Sequence, residues 1–323
     1  MSAILKHAAI IGAGQLGRRH LQGLAKSKQN LLIHVVDPFL GSRQAVEEFV
    51  ASTDTVRLPQ IKIHSSISEL SGELDFVVIA TTASERLNAI EQVTSFCKIR
   101  YLVLEKFLFN DSADYPKAEA LIRQHNISAW VNTPRRSYEV YRQLQEQTSD
   151  DRLLHFSADG GDWGLCCNSV HFVDLVQYLS GGVELSALKS RFDEGVLPSK
   201  REGYVDLTGE LSGEVGSATF SLRSIRGSAK PITLALYYER QTVFIAESFR
   251  TQWHVSLDRV QEKTFRMPYQ SEMTGLIADQ LLTTGTCELA SFLNSVAAHV
   301  PLLHIFAKQA GHADESHATC RIT

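Results

Sequence analysis

The stretch from Ala8 to His20, AAIIGAGQLGRRH, constrains what this chain can fold into more than any other. An apolar run (Ala8, Ala9, Ile10, Ile11) stops at Gly12-Ala13-Gly14-Gln15-Leu16-Gly17, and strong helix formers follow. That pattern predicts a strand turning directly into a helix. The GxGxxG spacing gives each glycine a task. Gly12 permits the tight turn, Gly14 lets the backbone approach a pyrophosphate, and Gly17 lets the new helix lie close on the sheet. The first N–H groups of the helix, at Gln15, Leu16 and Gly17, lack intrahelical acceptors and sit at the positive end of the helix dipole, so they suit phosphate. A second apolar run, Leu31-Leu32-Ile33-His34-Val35-Val36, closes on Asp37. That is about twenty residues past the last glycine, where an acid that holds a ribose is expected. The two signals together predict a dinucleotide-binding strand–helix–strand unit.

The rest of the chain sets that unit in context. At 323 residues it exceeds one small core and suits two domains. A content of 44% hydrophobic and 21% charged residues is the balance of an ordinary globular protein. The net charge of -4 supplies no basic field, so neither nucleic acid nor an anionic membrane is an expected partner. No apolar run approaches the length of a membrane span, and the segment MSAILKHAAI leads straight into the first strand. The expectation is a cytoplasmic protein. Five cysteines (Cys97, Cys166, Cys167, Cys287, Cys320) form no CxxC pair, which argues against structural disulfides and zinc. His312, His317 and Cys320 are ligand types in a polar tail, and no metal is expected there.

After Asp37, residues 41–51 read as a helix, 60–64 as a short strand, and 74–80 as a buried strand ending in Thr81-Thr82-Ala83-Ser84. A helical pattern covers 85–94. A buried strand at 101–104 ends in Glu105-Lys106-Phe107, and a helix at 115–125 and a strand at 127–131 complete the first domain. This alternation predicts a doubly wound parallel sheet over residues 1–130. Ligands in such sheets lie at the carboxyl ends of the strands. The residues there are Gly12 to Gly17, Asp37, Thr81, Thr82, Glu105 and Lys106. Residues 131–323 change character, with strands at 153–157, 204–207, 218–222, 233–237 and 242–245 and little helix between them. They predict an α+β domain built on a large, open, mostly antiparallel sheet. One helix (168–179) ends at Gly181-Gly182. Two more (275–282 and 287–309) close the chain, and Pro301 is expected to break or kink the last.

Two groups of residues suit chemistry. Lys106 ends a strand beside the predicted cleft, where an ammonium lowers a hydroxyl pKa and stabilises a developing alkoxide, with Glu105 to orient it. In the second half Asn168, His171 and Asp174 recur every third residue and share one side of a helix. His171 is placed to act as general base, held by Asp174 or Asn168. Arg135, Arg136, Trp163 and Asn168 are candidate substrate contacts together with His171, the arginines suiting a phosphate or carboxylate.

These motifs, in this order, resemble the Gfo/Idh/MocA family of glucose/fructose oxidoreductase and inositol dehydrogenase nearly end to end. GAGQLGRRH is similar to the family's glycine motif with its trailing histidine, here His20. Glu105-Lys106-Phe107 is similar to its EKP motif, and Asn132-Thr133-Pro134-Arg135-Arg136 to the segment leading into its second domain. The helix of His171 and Asp174 is similar to its HxxD helix, and Cys320-Arg321-Ile322-Thr323 to a frequent carboxyl end. The resemblance implies an α/β protein with an N-terminal Rossmann domain and a C-terminal domain whose open sheet shapes the substrate site and often mediates oligomers, a homodimer or homotetramer. It implies nicotinamide-dependent hydride transfer to or from a hydroxyl carbon of a sugar, cyclitol or nucleotide-sugar, with Lys106, His171 and Asp174 as the catalytic set. Asp37 favours NAD over NADP, because its carboxylate accepts from a ribose 2′-hydroxyl and repels a 2′-phosphate. Two residues depart from the pattern. Phe107 stands where the family carries the proline of a cis bond, and Cys167 where many members carry an aspartate four residues before the histidine. The family also includes regulators that bind the dinucleotide without using it, which is the second reading of this chain.

Overall fold

A computed structural model describes residues 4–52, 59–199, 201–314 and 316–322. Its elements in chain order begin with β1 (Lys6–Ile11), α1 (Gln15–Leu24), β2 (Leu31–Val36), α2 (Leu40–Ser52), β3 (Gln60–His64), β4 (Gly72–Ile79), α3 (Arg86–Phe96), β5 (Cys97–Leu104), α4 (Asp114–Gln124) and β6 (Ser128–Val131). They continue with α5 (Glu139–Gln147), β7 (Leu153–Gly160), α6 (Leu165–Ser180), β8 (Leu185–Phe192), β9 (Leu197–Pro198), β10 (Val205–Asp206), β11 (Gly209–Val215) and β12 (Ala218–Ser224). The last are β13 (Thr233–Tyr238), β14 (Gln241–Ala246), β15 (Thr251–Ser256), β16 (Val260–Thr264), α7 (Gln270–Thr284), β17 (Ala290–Ser291) and α8 (Phe292–Gln309).

The chain divides into two compact units. The first comprises Met1–Phe109, Asp114–Asn132 and Pro268–Phe292. Among its described residues a seven-stranded sheet runs in the order β17-β6-β5-β4-β1-β2-β3. All its pairs are parallel except β17 with β6. The central strands β1, β4 and β5 bury Ile10, Phe76, Val77, Val78, Leu102 and Leu104 almost completely, as a parallel sheet covered on both faces requires. Strand order reverses between β1 and β4, and the crevice at such a switch point is where ligands bind. Beyond the named strands the ladder continues: Gly12 N–H donates to Val36 O, Ala80 N–H to Ile11 O, and Glu105 N–H to Ile79 O. These bonds fix the carboxyl-end loops against one another.

Residues 268–292 belong to this unit although the sequence reading placed them in the second domain. Helix α7 packs along α1, and the approach is close enough that a Cβ on Gly275 would lie 2.4 Å from the Gly23 carbonyl oxygen. Two glycines on facing helices allow that crossing. Residues 290–291 form the antiparallel strand β17 where a helix from 287 was expected, and α8 then runs uninterrupted through Pro301.

The second unit comprises Asn110–Ala113, Thr133–Met267 and Leu293–Thr323. Its eight-stranded sheet, again among described residues, has the order β16-β15-β14-β13-β7-β12-β11-β8, antiparallel except for β12 beside β7. Alternation along β7 sends Phe156 and Ala158 to the buried face, while His155, Ser157 and Asp159 lie on the other. Helix α6 begins and ends at left-handed glycines, Gly164 and Gly181, and packs against β7, β11 and β12. Strands β8, β11, β15 and β16 and helix α5 were not anticipated from the sequence, and the strand expected at 204–207 is the two-residue β10, paired with β9. No helix among the described residues is long and apolar enough to cross a membrane.

Candidate functional site

In the first unit the fold gathers every residue expected to hold a dinucleotide. Four neighbouring strands end together, and Gly12 to Gly17, Asp37, Thr81, Thr82, Glu105 and Lys106 follow those ends. The three glycines differ in what fixes them. Gly12 has φ of +92°, open to glycine and strained for other residues. Gly17 touches the turn itself, so that a Cβ there would lie 1.9 Å from the Gly12 carbonyl oxygen. Gly14 has nothing within 4 Å of its Cβ position. The protein therefore leaves free the space above Gly14, beside an α1 first turn with neither a side-chain cap nor an acid. That is the cradle a pyrophosphate needs, and the site fits a dinucleotide.

Asp37 has a structural task besides any ligand. One carboxylate oxygen accepts from Ala13 N–H at 2.6 Å and the other from Phe39 N–H at 2.9 Å, so it ties the end of β2 to the glycine loop. Arg43 donates to the carbonyls of Asp37 and Pro38. Past β4, Thr82 Oγ1 lies 3.1 Å from Ser84 Oγ. The Thr81 hydroxyl is buried and makes no hydrogen bond, and a buried polar atom of that kind is what a bound ligand would satisfy.

Lys106 is half-buried at the end of β5, followed by a cis peptide bond to Phe107. The cis bond is thus present without the proline. Glu105 was expected to orient the ammonium. Its hydrogen bonds instead run to His20 Nε2 at 2.7 Å and to the Asn132 amide at 2.5 Å. His20 Nδ1 lies 2.9 Å from Thr274 Oγ1 on α7, and Gln270 bridges Asn132 and Thr274. Burial opposes ionisation of Glu105, but the hydrogen bond and charge of His20, with the Asn132 amide and Arg86, outweigh it and hold the carboxyl below the usual range. Arg86 was missed entirely. It is 2% exposed and donates to Thr81 O and Leu108 O at 2.6 Å each and to Phe107 O. One guanidinium thus pins the loop after β4 to the segment after Lys106. The only sequence signal was an arginine on the apolar side of a helix start.

In the second unit His171 is half-buried on α6. The groups expected to orient it have further partners of their own. Asp174 is bonded by both arms of the Arg136 guanidinium, at 2.9 and 2.6 Å. Burial raises the Asp174 carboxyl, against the pull of that guanidinium. The Asn168 amide donates to Trp163 O at 2.7 Å, closing the turn before α6. Arg135 forms a two-bond ion pair with Glu247, at 3.0 and 2.9 Å, joined by the Tyr141 hydroxyl, and lies 4.4 Å over the Phe172 ring. Burial opposes its charge, but Glu247 raises its pKa overall. Both arginines, expected as substrate contacts, are therefore spent on internal carboxylates and on packing α6. The Trp163 indole donates to Arg223 O at 2.8 Å and meets Phe172 edge-on, so its polar atom is committed too. Asp206 accepts from Cys166 N–H at the start of α6, a cap the sequence reading missed. In the polar tail, His317 lies 2.9 Å from Asp111. Thr323 falls outside the described residues.

No family model matches this chain, and no curated protein does. Solved structures do. An oxidoreductase from Agrobacterium radiobacter, in complex with NAD+, L-tartaric acid and magnesium, is 11% identical with a TM-score of 0.75, over 97% of this chain and 98% of its own. The UDP-N-acetylglucosamine 3-dehydrogenase of Acidithiobacillus ferrooxidans is 12% identical with a TM-score of 0.70, over 94% of this chain and 97% of its own. The transcriptional regulator Gal80p of Kluyveromyces lactis is 13% identical with a TM-score of 0.72, over 99% of this chain and 95% of its own. Coverage from end to end establishes the fold, a Rossmann-like parallel sheet joined to a mostly antiparallel one, which is the fold that the resemblance to the Gfo/Idh/MocA family implies.

Proposed function

We propose that this chain is a nicotinamide-dependent oxidoreductase that moves hydride to or from a hydroxyl carbon of a sugar, cyclitol or nucleotide-sugar. The observation that carries the reading is the space kept clear above Gly14, at an uncapped helix start and beside the unsatisfied Thr81 hydroxyl. Backbone N–H groups of Gln15, Leu16 and Gly17 would hold the pyrophosphate, and Thr81 and Thr82 would line the cofactor. Asp37 supports a preference for NAD, since a carboxylate at that strand end repels a 2′-phosphate. The dinucleotide, when bound, supplies or accepts the hydride. Lys106 would lower the pKa of the reacting hydroxyl and stabilise the alkoxide as it forms. His171 would take the hydroxyl proton as general base, while Asp174 and Arg136 fix the helix that carries it. A homodimer or homotetramer in the cytoplasm remains part of the proposal by family analogy.

Lys106→Ala tests it. The variant should bind NAD with the parent's affinity and lose turnover, read as absorbance near 340 nm across a panel of sugars, inositols and nucleotide-sugars. Unchanged turnover would remove Lys106 from the mechanism. NAD binding by the parent chain with no turnover across the panel, and a protein partner recovered with it, would favour the regulatory reading, for which the likeness to Gal80p speaks.

A further inference from the structure

Outside the candidate site, one cleft in the second unit carries a charge arrangement that the proposed reaction does not use. It lies where the end of α5 meets the outer strands β14, β15 and β16, and encloses about 470 Å³, enough for a small ligand. His254 on β15 faces Val243 of β14 and Gln261 of β16 in register, and Lys263 pairs with Gln252. His254 and Lys263 therefore lie on the same face of the sheet as the buried Val243 and Gln252, the face turned to the core.

The charges there do not cancel. Asp151 is already satisfied: it accepts from Arg240 N–H at 3.0 Å and from the Gln241 amide at 3.3 Å, with the Arg240 guanidinium 3.7 Å away. Arg240 also donates to Asp150 O. Arg240 and Asp151 neutralise one another. Asp258 accepts from the Ser256 hydroxyl. The Arg259 guanidinium has no hydrogen bond or ion pair among the described residues, and Lys263 reaches only Gln147 Oε1, at 3.5 Å. His254 Nδ1 lies 3.4 Å from Gln241 Oε1, while its Nε2 is buried with no partner. Two cations that make no ion pair among the described residues, Arg259 drawn only weakly by the exposed Asp258, and an orphaned ring nitrogen thus line one polar cleft. An orphaned buried polar atom calls for a ligand or water, and an arginine and a lysine with no ion pair of their own suit an anion with several oxygens. The lining holds no phenylalanine, tyrosine or tryptophan to stack a nucleobase, so the anionic group itself is what the cleft reads.

We propose that this cleft binds the phosphate group of a small phosphorylated molecule, through Arg259, Lys263 and His254. The test is calorimetric titration of the full chain with inorganic phosphate and with a hexose phosphate, at constant ionic strength with sodium chloride as control. Saturable binding is expected, and Arg259→Ala with Lys263→Ala should weaken it by about tenfold or more, as loss of two charge-assisted contacts requires. Arg259 is exposed, so its replacement leaves the fold intact. In the parent chain the His254 ring resonances should move on addition of phosphate, a readout that needs no variant. Tighter binding of the hexose phosphate identifies a metabolite ligand, and equal affinities identify free phosphate. Absence of binding beyond the chloride control, or binding unchanged in the double variant, overturns the assignment. Neither outcome depends on dinucleotide binding or turnover.

Discussion

The two glycines that flank the first turn of α1 should respond in opposite ways to the same added methyl group. At Gly17 a Cβ would sit 1.9 Å from the Gly12 carbonyl oxygen and 2.8 Å from its carbon. Both are backbone atoms of a turn fixed on each side by the sheet, so the helix or the turn must move by more than 1 Å. Overpacking of this kind costs about 1–3 kcal/mol, and rigid backbone on the receiving side puts Gly17→Ala at about 3 kcal/mol or beyond. At Gly14 the φ of -60° and ψ of -171° are open to alanine, and nothing lies within 4 Å. Reduced freedom of the unfolded chain contributes about 0.4–1 kcal/mol in favour of Gly14→Ala. Loss of a favourable N-cap residue offsets it by a similar amount. Fold stability should stay within about 1 kcal/mol of the parent. Dinucleotide affinity should not: a methyl in that space holds the pyrophosphate away from the helix N–H groups, and each charge-assisted hydrogen bond lost is worth about 1.5–3 kcal/mol. NAD binding by Gly14→Ala should therefore weaken by about tenfold to a hundredfold. Urea unfolding reads the first quantity and fluorescence titration with NADH the second. A Gly14→Ala protein that is stable and binds NADH as the parent does would show that the cleared space is not the pyrophosphate site, and the reasoning would fail at its first step.

Two further perturbations test the scaffolds of the two units. His34 stacks with His7 and His64 across β1, β2 and β3. Burial, then the neighbouring His64, His7 and Lys62, push its pKa down to about 4. An unfolded imidazole titrates near 6.5, so between the two values the unfolded chain binds the proton and the native chain does not. Stability is therefore full above about pH 6.5 and is lost as pH falls toward 4. The displacement corresponds to about 3 kcal/mol, which solvent screening of a half-exposed ring reduces to about 1–2 kcal/mol. The carboxyls of Glu105 and Glu247 are held below their usual value of 4.5 and act only in more acid solution. Burial lowers the pKa of His155 and His254 as well, so urea midpoints between pH 5 and 7.5 should slope in the parent and slope less steeply in His34→Gln; equal slopes would exclude the assignment. In the second unit, Arg136→Ala strands the buried Asp174 carboxylate and should cost about 3–5 kcal/mol of stability by denaturant unfolding, whereas a loss below about 1 kcal/mol would mean that the pair does not hold α6.

What the sequence made legible follows how far each signal reaches along the chain. Strands β1, β2, β4 and β5 of the first sheet are buried on both faces toward their carboxyl ends, so each ends in apolar residues. Their carboxyl ends, and with them the residues of the candidate cofactor site, could be placed from the parallel topology alone. Strands β8, β11, β15 and β16 carry no such signal. LSALKSRF and VQEKT are mostly exposed, and what makes them strands is pairing with a neighbour across the sheet. Only tertiary context supplies that.

The polar residues of the second unit show a different limit of the sequence. Arg135, Arg136, Asp174 and Asn168 were picked out because charged and amide groups near a helix start suit a ligand, and in the fold their bonds run to Glu247, to one another and to Trp163. A buried charge must be paired or solvated, and partner and substrate satisfy that demand equally well, so residue type alone does not separate them. Glu247 lies more than a hundred residues from Arg135, beyond any local pattern. The same distance hid the role of His20. It is visible in the sequence only as the end of the glycine motif, yet it links Glu105, next to Lys106, to Thr274 on a helix that returns from residue 270. That buried chain gives α7 its reason to rejoin the first unit. The glycines that let it approach, Gly23 and Gly275, carry meaning only once the two helices are side by side.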